Sequence, residues 1–177
     1  MKNHAKLSIK DIALIGLMVA VIEVCKVALS HIPNVELTTF WIMMFALYLG
    51  KRVYYAIPVF ILIEGAMYGV GLWWIMYLYL WPLLAFVTSL FKKSDSTITF
   101  SLISGTFGLL FGLLAAIPYL FIGYFEGGIL NAFSVACAWW IAGIPWDLLH
   151  GISNFILMLI LYHPISSVMK RTRVYTQ

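Results

Sequence analysis

KRVYYAIPVFILIEGAMYGVGLWWIMYLYLWPLLAFVTSLFKK, residues 51–93, is a long apolar stretch with a pair of basic residues at each end. Residues 53–91 carry a single charged side chain, Glu64. A helix that crosses a bilayer needs about 20 apolar residues, so this stretch is long enough to cross out and back. Both basic pairs then lie on the same membrane face, which the positive-inside rule identifies as the cytoplasmic face.

The same spacing extends over the whole chain. Ten of the eleven Lys and Arg residues fall in four short clusters, and Lys26 is the exception. Each pair of consecutive clusters is separated by enough apolar sequence for two crossings. We predict an all-α integral membrane protein with six transmembrane helices and both termini in the cytoplasm. The clusters are Lys2/Lys6/Lys10, Lys51/Arg52, Lys92/Lys93 and Lys170/Arg171/Arg173.

The apolar stretch 132–162 is longer than one span requires. Gly143 and Pro145 are expected to divide it, because proline is tolerated at the first position of a helix and disrupts a helix interior. We therefore expect a short outer-face helix at 132–142 before the last span, with one kinked helix over 132–162 as the alternative. The six predicted spans cover residues 11–30, 35–50, 53–70, 73–91, 99–120 and 145–162.

Composition excludes an ordinary soluble domain. The chain is 63% hydrophobic and 10% charged, with a mean hydropathy of +0.99, which would leave a soluble protein without a polar surface. Six spans use most of the 177 residues, so we predict one membrane-embedded domain, residues 1–177. The net charge of +4 reflects topology and not nucleic-acid binding, which needs a basic patch on a polar surface. Cys25 and Cys137 are expected to serve ordinary packing.

Polar residues within the spans are concentrated in the predicted outer half. Glu23 and Glu64 lie about 18 Å from the cytoplasmic ends of their helices at 1.5 Å per residue, and Asp147 and His150 begin a descending helix. A carboxylate near mid-membrane costs about 2.5–3.5 kcal/mol, so these groups need partners or water. They predict a pocket that is open to the outside above a sealed inner half.

Two sets of these residues have alternative interpretations. Glu23 and Lys26 are three residues apart and can pair directly, as a self-neutralising pair or in a substrate site. Asp147, His150 and Asn154 share one helix face. Four interpretations are open: a metal site, an acid/base pair, a ligand-binding stripe or a hydrogen-bonded seam between helices. A metal site would need a third ligand, and no catalytic motif accompanies them. We predict no catalytic residues, no metal and no cofactor, and hence no enzyme.

Aromatic side chains accompany the polar groups of the outer loops and are suited to a planar heterocyclic solute. Trp73, Trp74 and Trp139 are the first candidates for interfacial anchoring alone. The aromatic residues are Trp41, Trp73, Trp74, Tyr77, Trp139 and Trp140, and the polar ones are Asn34, Glu36, Thr38, Thr39, Glu126 and Asn131.

Small residues at four-residue spacing predict close helix packing. Ser104, Gly108, Gly112 and Ala116 form the clearest seam, on the fifth span, where packing within the chain is the default. Gly16 and Ala20 form a shorter motif near the cytoplasmic end of the first span. At that depth it could face a second protein.

Six spans, both ends inside, an outward pocket and the Gly16/Ala20 motif together resemble the substrate-binding S components of energy-coupling factor (ECF) vitamin transporters. The strings IPNVELT at 32–38 and IPWDLLH at 144–150, with Asn154 and Pro164 following, are similar to patterns common in bacterial members. The resemblance implies a bacterial cell-membrane protein that binds a small water-soluble vitamin or precursor at the outer face.

The resemblance also implies partners, namely a transmembrane coupling subunit and two cytosolic ATPases, with delivery by toppling of the protein in the membrane. Gly16 and Ala20 occupy the family's coupling-subunit docking motif, which usually has alanine at both ends. The absence of a Walker A sequence is consistent with ATP hydrolysis by a partner. Ligand contacts in the family come from the first outer loop and later spans, which here means Asn34, Glu36, Trp74, Tyr77, Asn131, Trp140, Asp147 and His150.

Two other functions remain open at this point. A stand-alone proton-coupled secondary transporter would use Glu23, Glu64, Asp147 and His150 as a proton relay. A small integral-membrane enzyme would use Asp147 and His150.

Overall fold

A computed structural model describes residues 7–173, so Lys2 and Lys6 of the first basic cluster lie outside the described range. The described chain is built of helices and their connections, which confirms the all-α prediction. Three segments are long and apolar enough to cross a membrane, Ile9–Leu29, Leu72–Leu90 and Phe111–Arg171. The helices are α1 (Ile9–Leu29), α2 (Thr38–Tyr48), a 3-10 turn (Gly50–Arg52), α3 (Val53–Tyr68), α4 (Leu72–Leu90), α5 (Thr97–Leu109), α6 (Phe111–Ala115) and α7 (Ile117–Arg173).

Two salt bridges connect helix ends that carry the basic clusters. Ser8 caps α1, since its Oγ accepts from the Asp11 N–H at 3.1 Å, and Arg52 Nε donates to Asp11 Oδ1 at 2.6 Å. Lys170 Nζ donates to Asp95 Oδ2 at 2.6 Å, which joins the α4–α5 loop to the end of α7. The hydrogen bond from Lys170 lowers the pKa of the Asp95 carboxyl. Arg52, just before α3, and Lys170, near the end of α7, are therefore each held by an aspartate.

The short helix α2 forms the centre of the bundle. Every residue from Thr38 to Ala46 is buried except Trp41, which is half-buried. An 11-residue helix is about 16 Å long, too short to cross a hydrocarbon layer of about 30 Å alone. Because α2 packs among α1, α4 and α7, it contacts protein instead of lipid.

Helices α5 and α7 pack antiparallel through the small-residue seam, which confirms the packing predicted for it. A Cβ added to Gly108 would lie 2.8 Å from Gly151 Cα, and one added to Gly112 would meet the Asp147 carboxylate. Ser104 Oγ donates to the Asn154 carbonyl oxygen at 3.2 Å. The seam therefore fixes the position of α7 relative to the rest of the bundle.

The division expected at Gly143 and Pro145 is wrong, because α7 is helical through both residues and continues through 132–162 as one helix. The non-helical residues are Gly127 and Gly128, and Gly128 has a φ of 76°, which favours glycine. A proline inside a helix removes one hydrogen bond without ending the helix where packing supports it.

The chain reverses at this break to form a helical hairpin. Residues 117–126 fold back along the start of the 129–173 arm, where Asn131 Nδ2 donates to the Gly123 carbonyl oxygen at 2.9 Å. Tyr119 stacks on Trp139 with ring centroids 4.7 Å apart. The short helix expected at 132–142 is thus part of this hairpin and of the last long helix.

Candidate functional site

A cavity of about 490 Å³ lies at one end of the bundle. The Asp11–Arg52 and Asp95–Lys170 salt bridges lie at the opposite end. Its walls come from the end of α1, the loop at 30–37, the end of α3, the start of α4, α6 and the middle of α7. The lining residues are Lys26, Leu29, Ser30, Ile32, Pro33, Asn34, Val35, Glu36, Thr38, Glu64, Tyr68, Trp73, Tyr77, Trp81, Phe111 and His150.

Glu36 organises the loop at 30–37 and the start of α2. Its Oε1 accepts from Thr39 Oγ1 at 2.6 Å, its Oε2 accepts from the Thr39 N–H at 3.1 Å, and the Thr38 N–H also donates to it. A carboxylate is stabilised at the positive end of a helix. Asn34 has a φ of 56°, and its carbonyl accepts from Ser153 Oγ at 3.0 Å. The loop is therefore held both to α2 and to α7.

Glu36 also binds α7 through His150. His150 Nε2 lies 3.1 Å from Glu36 Oε1, and because a carboxylate accepts, the ring donates. The Phe111 ring meets the imidazole edge to face, with centroids 5.0 Å apart. Burial alone would raise the pKa of Glu36, but hydrogen bonds from His150, Thr39 and Thr38 lower it to about 2. The carboxylate is therefore ionised at neutral pH.

A second ion pair joins Lys26 on α1 to Glu64 on α3. The sequence left open a direct Glu23–Lys26 pair or a substrate role; in the described chain the ammonium forms its salt bridge with the carboxylate on the neighbouring helix instead. Glu64 is 1% exposed, and its Oε1 has no hydrogen-bond partner among residues 7–173. Both Glu23 carboxylate oxygens are likewise buried without a partner in the described chain.

Aromatic rings surround the Lys26 ammonium. Its Nζ lies 5.7 Å from the Phe60 ring centroid, 5.4 Å from that of Tyr68 and 5.5 Å from that of Tyr77. Distances below about 6 Å are those of cation–π interactions. This group of three rings around a cation, with Glu64 beside it, is called the aromatic cage below.

Further rings form the α4 wall of the cavity. Trp73 and Trp81 each meet Tyr77 edge to face, with centroids 5.3 Å and 5.2 Å apart. Trp81 also lies 5.8 Å from Phe111. The Trp81 indole is 2% exposed, and its N–H has no acceptor within residues 7–173. The wall therefore offers flat apolar faces and one buried donor.

The structure brings together half of the residues predicted to bind substrate. Asn34, Glu36, Tyr77 and His150 line the cavity. The remaining four, Trp74, Asn131, Trp140 and Asp147, are not among its lining residues.

Those four residues lie in other parts of the fold. Trp74 Nε1 donates to the Ile61 carbonyl oxygen at 2.8 Å. Asp147 Oδ1 accepts from the Gly112 N–H at 3.0 Å. Asn131 belongs to the α7 hairpin described above, and Trp140 is half-buried on the same helix. In the described chain these side chains serve helix packing or lie on the helix surface.

The three polar residues on α7 divide between packing and cavity. Asp147 joins α7 to α6, and Asn154 Nδ2 donates to Thr39 Oγ1 at 3.3 Å. His150 alone of the three lines the cavity. Within residues 7–173 no group of three His, Cys, Asp or Glu side chains is placed to hold a metal ion.

Several cavity residues were not among the predicted site residues. Trp73 was expected to be an anchor, but it lines the cavity. The sequence does contain a signal, because Trp73, Tyr77 and Trp81 recur every four residues and so share one face of α4. The residues that the prediction omitted are Lys26, Leu29, Ser30, Ile32, Pro33, Val35, Thr38, Glu64, Tyr68, Trp73, Trp81 and Phe111.

The predicted docking residues lie on the outer surface of α1. Gly16 and Ala20 are exposed, and a Cβ added to Gly16 would have no neighbour within 4 Å. This small-residue face is therefore available to another molecule. No family model, curated protein or solved structure matches this chain.

Proposed function

We propose that this chain is the substrate-binding S component of an ECF-type importer in a bacterial cell membrane. It binds a small water-soluble vitamin or precursor at the outer face and delivers it through a coupling subunit and two ATPases. The observation that carries the proposal is the cavity, which has aromatic walls, buried polar groups and a closed floor. Preformed cavities of this kind are typical of small-molecule sites.

The closed floor supports a binding component over a channel or a lone transporter. Between the cavity and the end of the bundle that carries the Asp11–Arg52 and Asp95–Lys170 salt bridges, the core contains fully buried apolar side chains, such as Ile57 on α3 and Leu84 on α4. Residues 12–22, 37–50, 53–63 and 151–162 contain no Asp, Glu, Lys, Arg or His. Release to the basic side then requires rearrangement driven by another component.

The decisive experiment is co-expression of the chain with a coupling subunit and two ATPases from the same cell. We expect a four-component complex, uptake that requires ATP hydrolysis, and a ligand that mass spectrometry identifies in the purified chain. Uptake that persists after deletion of the ATPases would support the proton-coupled transporter instead. Failure of the complex to form would count against the proposal.

Six crossings with both termini inside are part of this proposal. The supporting feature is that successive helices alternate between the salt-bridged end and the cavity end. Cys137 is exposed on α7 and lies between the hairpin at Gly127–Gly128 and His150. In the proposed topology this native cysteine is therefore on the outer side and can be used to label the outer face. Lys93 is exposed in the α4–α5 loop at the opposite end.

We expect Cys137 in a Cys25→Ser background to react with a membrane-impermeant maleimide on intact cells. A Lys93→Cys variant without the native cysteines should react only after permeabilisation. Impermeant reagents distinguish the two faces because they do not cross the bilayer. Labelling of both positions from the same side would contradict the topology.

We also expect Gly16→Leu combined with Ala20→Leu to abolish recovery of the coupling subunit and uptake, while ligand binding to the isolated chain is unchanged. Large side chains prevent the close helix approach that small residues allow, and both positions are exposed and neither lines the cavity. The matched control is Val24→Leu, which enlarges an exposed residue near the other end of α1. Normal uptake by the double variant would refute the docking assignment.

A further inference from the structure

We propose that the cavity selects a small organic cation with a planar ring and a hydrogen-bond acceptor, and that Lys26 competes with it for the aromatic cage. This inference rests on the proposed function and specifies the chemical class of the cargo. The observations that carry it are the charge of the cavity lining, the cage and two buried unpartnered polar atoms.

The charged side chains of the lining are two carboxylates and one ammonium. Counting Asp, Glu, Lys and Arg side chains only, Glu36 and Glu64 are opposed by Lys26 alone, so the lining carries one formal negative charge. Glu23, three residues before Lys26 on α1, has a carboxyl group with both oxygens buried and without a hydrogen-bond partner in the described chain. In a low-dielectric site an unbalanced negative charge strongly favours a positive ligand over a neutral or negative one.

The aromatic cage is already shaped for a cation. Three ring centroids lie 5.4–5.7 Å from the Lys26 ammonium, and two of these rings, Tyr68 and Tyr77, line the cavity. The lysine ammonium is tethered to α1 and is 27% exposed at the side chain. A free cation that enters the cavity can therefore approach the same rings and the same carboxylate.

Two buried atoms indicate where the ligand makes further contacts. Glu64 Oε1 is an acceptor without a donor in the described chain, although Oε2 of the same carboxylate is bound by Lys26. The Trp81 N–H is a donor without an acceptor in the same residue range. Both residues line the cavity. The positive charge of a cationic ligand would pair with the carboxylate oxygen, and an acceptor atom of the same ligand would bind the indole N–H, whereas buried polar groups left unpaired are costly.

A series of three pyridine derivatives of similar size tests this inference. The probes are 1-methylnicotinamide, a cation, nicotinamide, which is neutral, and nicotinate, an anion. Binding is measured on the purified chain by quenching of tryptophan fluorescence, since Trp73 and Trp81 lie in the wall. We expect the cation to bind about tenfold more tightly than the neutral amide, with nicotinate weakest. Equal or reversed order, or no quenching by any of the three, would overturn the inference.

A substitution at Lys26 gives the sharper result. Lys26→Met keeps a long side chain and removes the competing charge, so we expect affinity for 1-methylnicotinamide to rise about tenfold. Glu64→Gln should lower it by a similar factor. If Lys26 instead recruits an anionic ligand, Lys26→Met would weaken nicotinate binding and leave the cation unaffected, which would overturn the inference. Should the variant fail to fold, the order of the three probes on the unmodified chain decides.

The failure of this inference is distinguishable from failure of the proposed function. A chain that prefers the neutral or anionic probe but still forms the ATP-dependent complex would be a binding component with a different cargo class. A chain that prefers the cation but forms no such complex would have the inferred site and another function.

Discussion

Gly108→Ala is expected to destabilise the protein by about 1–3 kcal/mol, the range for overpacking a close contact. The added Cβ would lie 2.8 Å from Cα and N of Gly151 and 2.9 Å from the carbonyl carbon of His150. These are backbone atoms, so no side-chain rotation relieves the contact, and α5 and α7 must separate. Thermal unfolding in detergent, followed by intrinsic fluorescence, measures the loss as a lower Tm.

The matched control for this prediction is Gly143→Ala, also within a helix. A Cβ at Gly143 has no neighbour within 4 Å, and alanine is the better helix former. We expect its Tm to equal or exceed that of the unmodified protein. Because Gly151 follows His150 directly, Gly108→Ala should also weaken ligand binding. A Gly108→Ala protein with an unchanged Tm would show that the two helices are not in such close contact.

The order of the helices was predictable because the positions of the basic clusters and the lengths of the apolar stretches between them can be read directly along the chain. Lys51/Arg52 and Lys92/Lys93 mark the ends of helices that the structure places at 53–68 and 72–90. The Gly108 seam was equally visible, since four-residue spacing selects one helix face without reference to a neighbour. Local and periodic signals were sufficient for these features.

Partners across helices were not predictable from spacing alone. Lys26 stands three residues from Glu23 in the sequence, but it binds Glu64, 38 positions away. Glu64 is 1% exposed, and a carboxylate buried to that extent needs a cation as partner. Trp73 and Trp74 are neighbours in the sequence, yet Trp73 lines the cavity and Trp74 packs on α3. The rotation of α4 about its axis decides between them, and only tertiary packing sets that rotation.

The break in the last apolar region was assigned to the wrong residues for a physical reason. Pro145 removes one donor, which a packed helix tolerates, whereas Gly128 adopts a φ of 76°, which ends a helix outright. The pair Gly127–Gly128 was present in the sequence as a turn signal. The length of the last apolar stretch favoured a break at Gly143, since that break leaves a last span of ordinary size. The arm of α7 that follows Gly128 is instead longer than one bilayer thickness.

Glu36→Ala is expected to have the largest combined effect on stability and binding, a loss of about 2–4 kcal/mol from one missing helix-start acceptor and one unsatisfied buried donor. The carboxylate accepts from Thr38, Thr39 and His150. Alanine leaves all of these donors without that acceptor and leaves the loop at 30–37 joined to α7 through the Asn34–Ser153 hydrogen bond, without the contact to His150. The measurements are Tm in detergent and quenching by the ligand that copurifies with the chain.

Glu36→Gln separates the charge from the shape, because the amide keeps an oxygen acceptor and the side-chain length. We expect a smaller Tm loss than for alanine, and a double-mutant cycle with His150→Ala should show a coupling of about 0.5–3 kcal/mol between the two residues. An uncoupled cycle would mean that the 3.1 Å contact contributes nothing to stability.

The pH dependence of the Glu36→Gln effect gives an independent check on the ionised carboxylate. The pKa of Glu36 is lowered from 4.5 to about 2, so the folded state binds this proton more weakly than the unfolded state does. The stability that the carboxylate contributes is therefore fully present above about pH 4.5 and is lost as the pH falls towards 2. We expect the Tm difference between the unmodified protein and Glu36→Gln to be constant from pH 8 to about pH 5 and to shrink below it. A difference that grows on acidification would show that folding raises this pKa, which would remove the basis for an ionised Glu36 at the cavity wall.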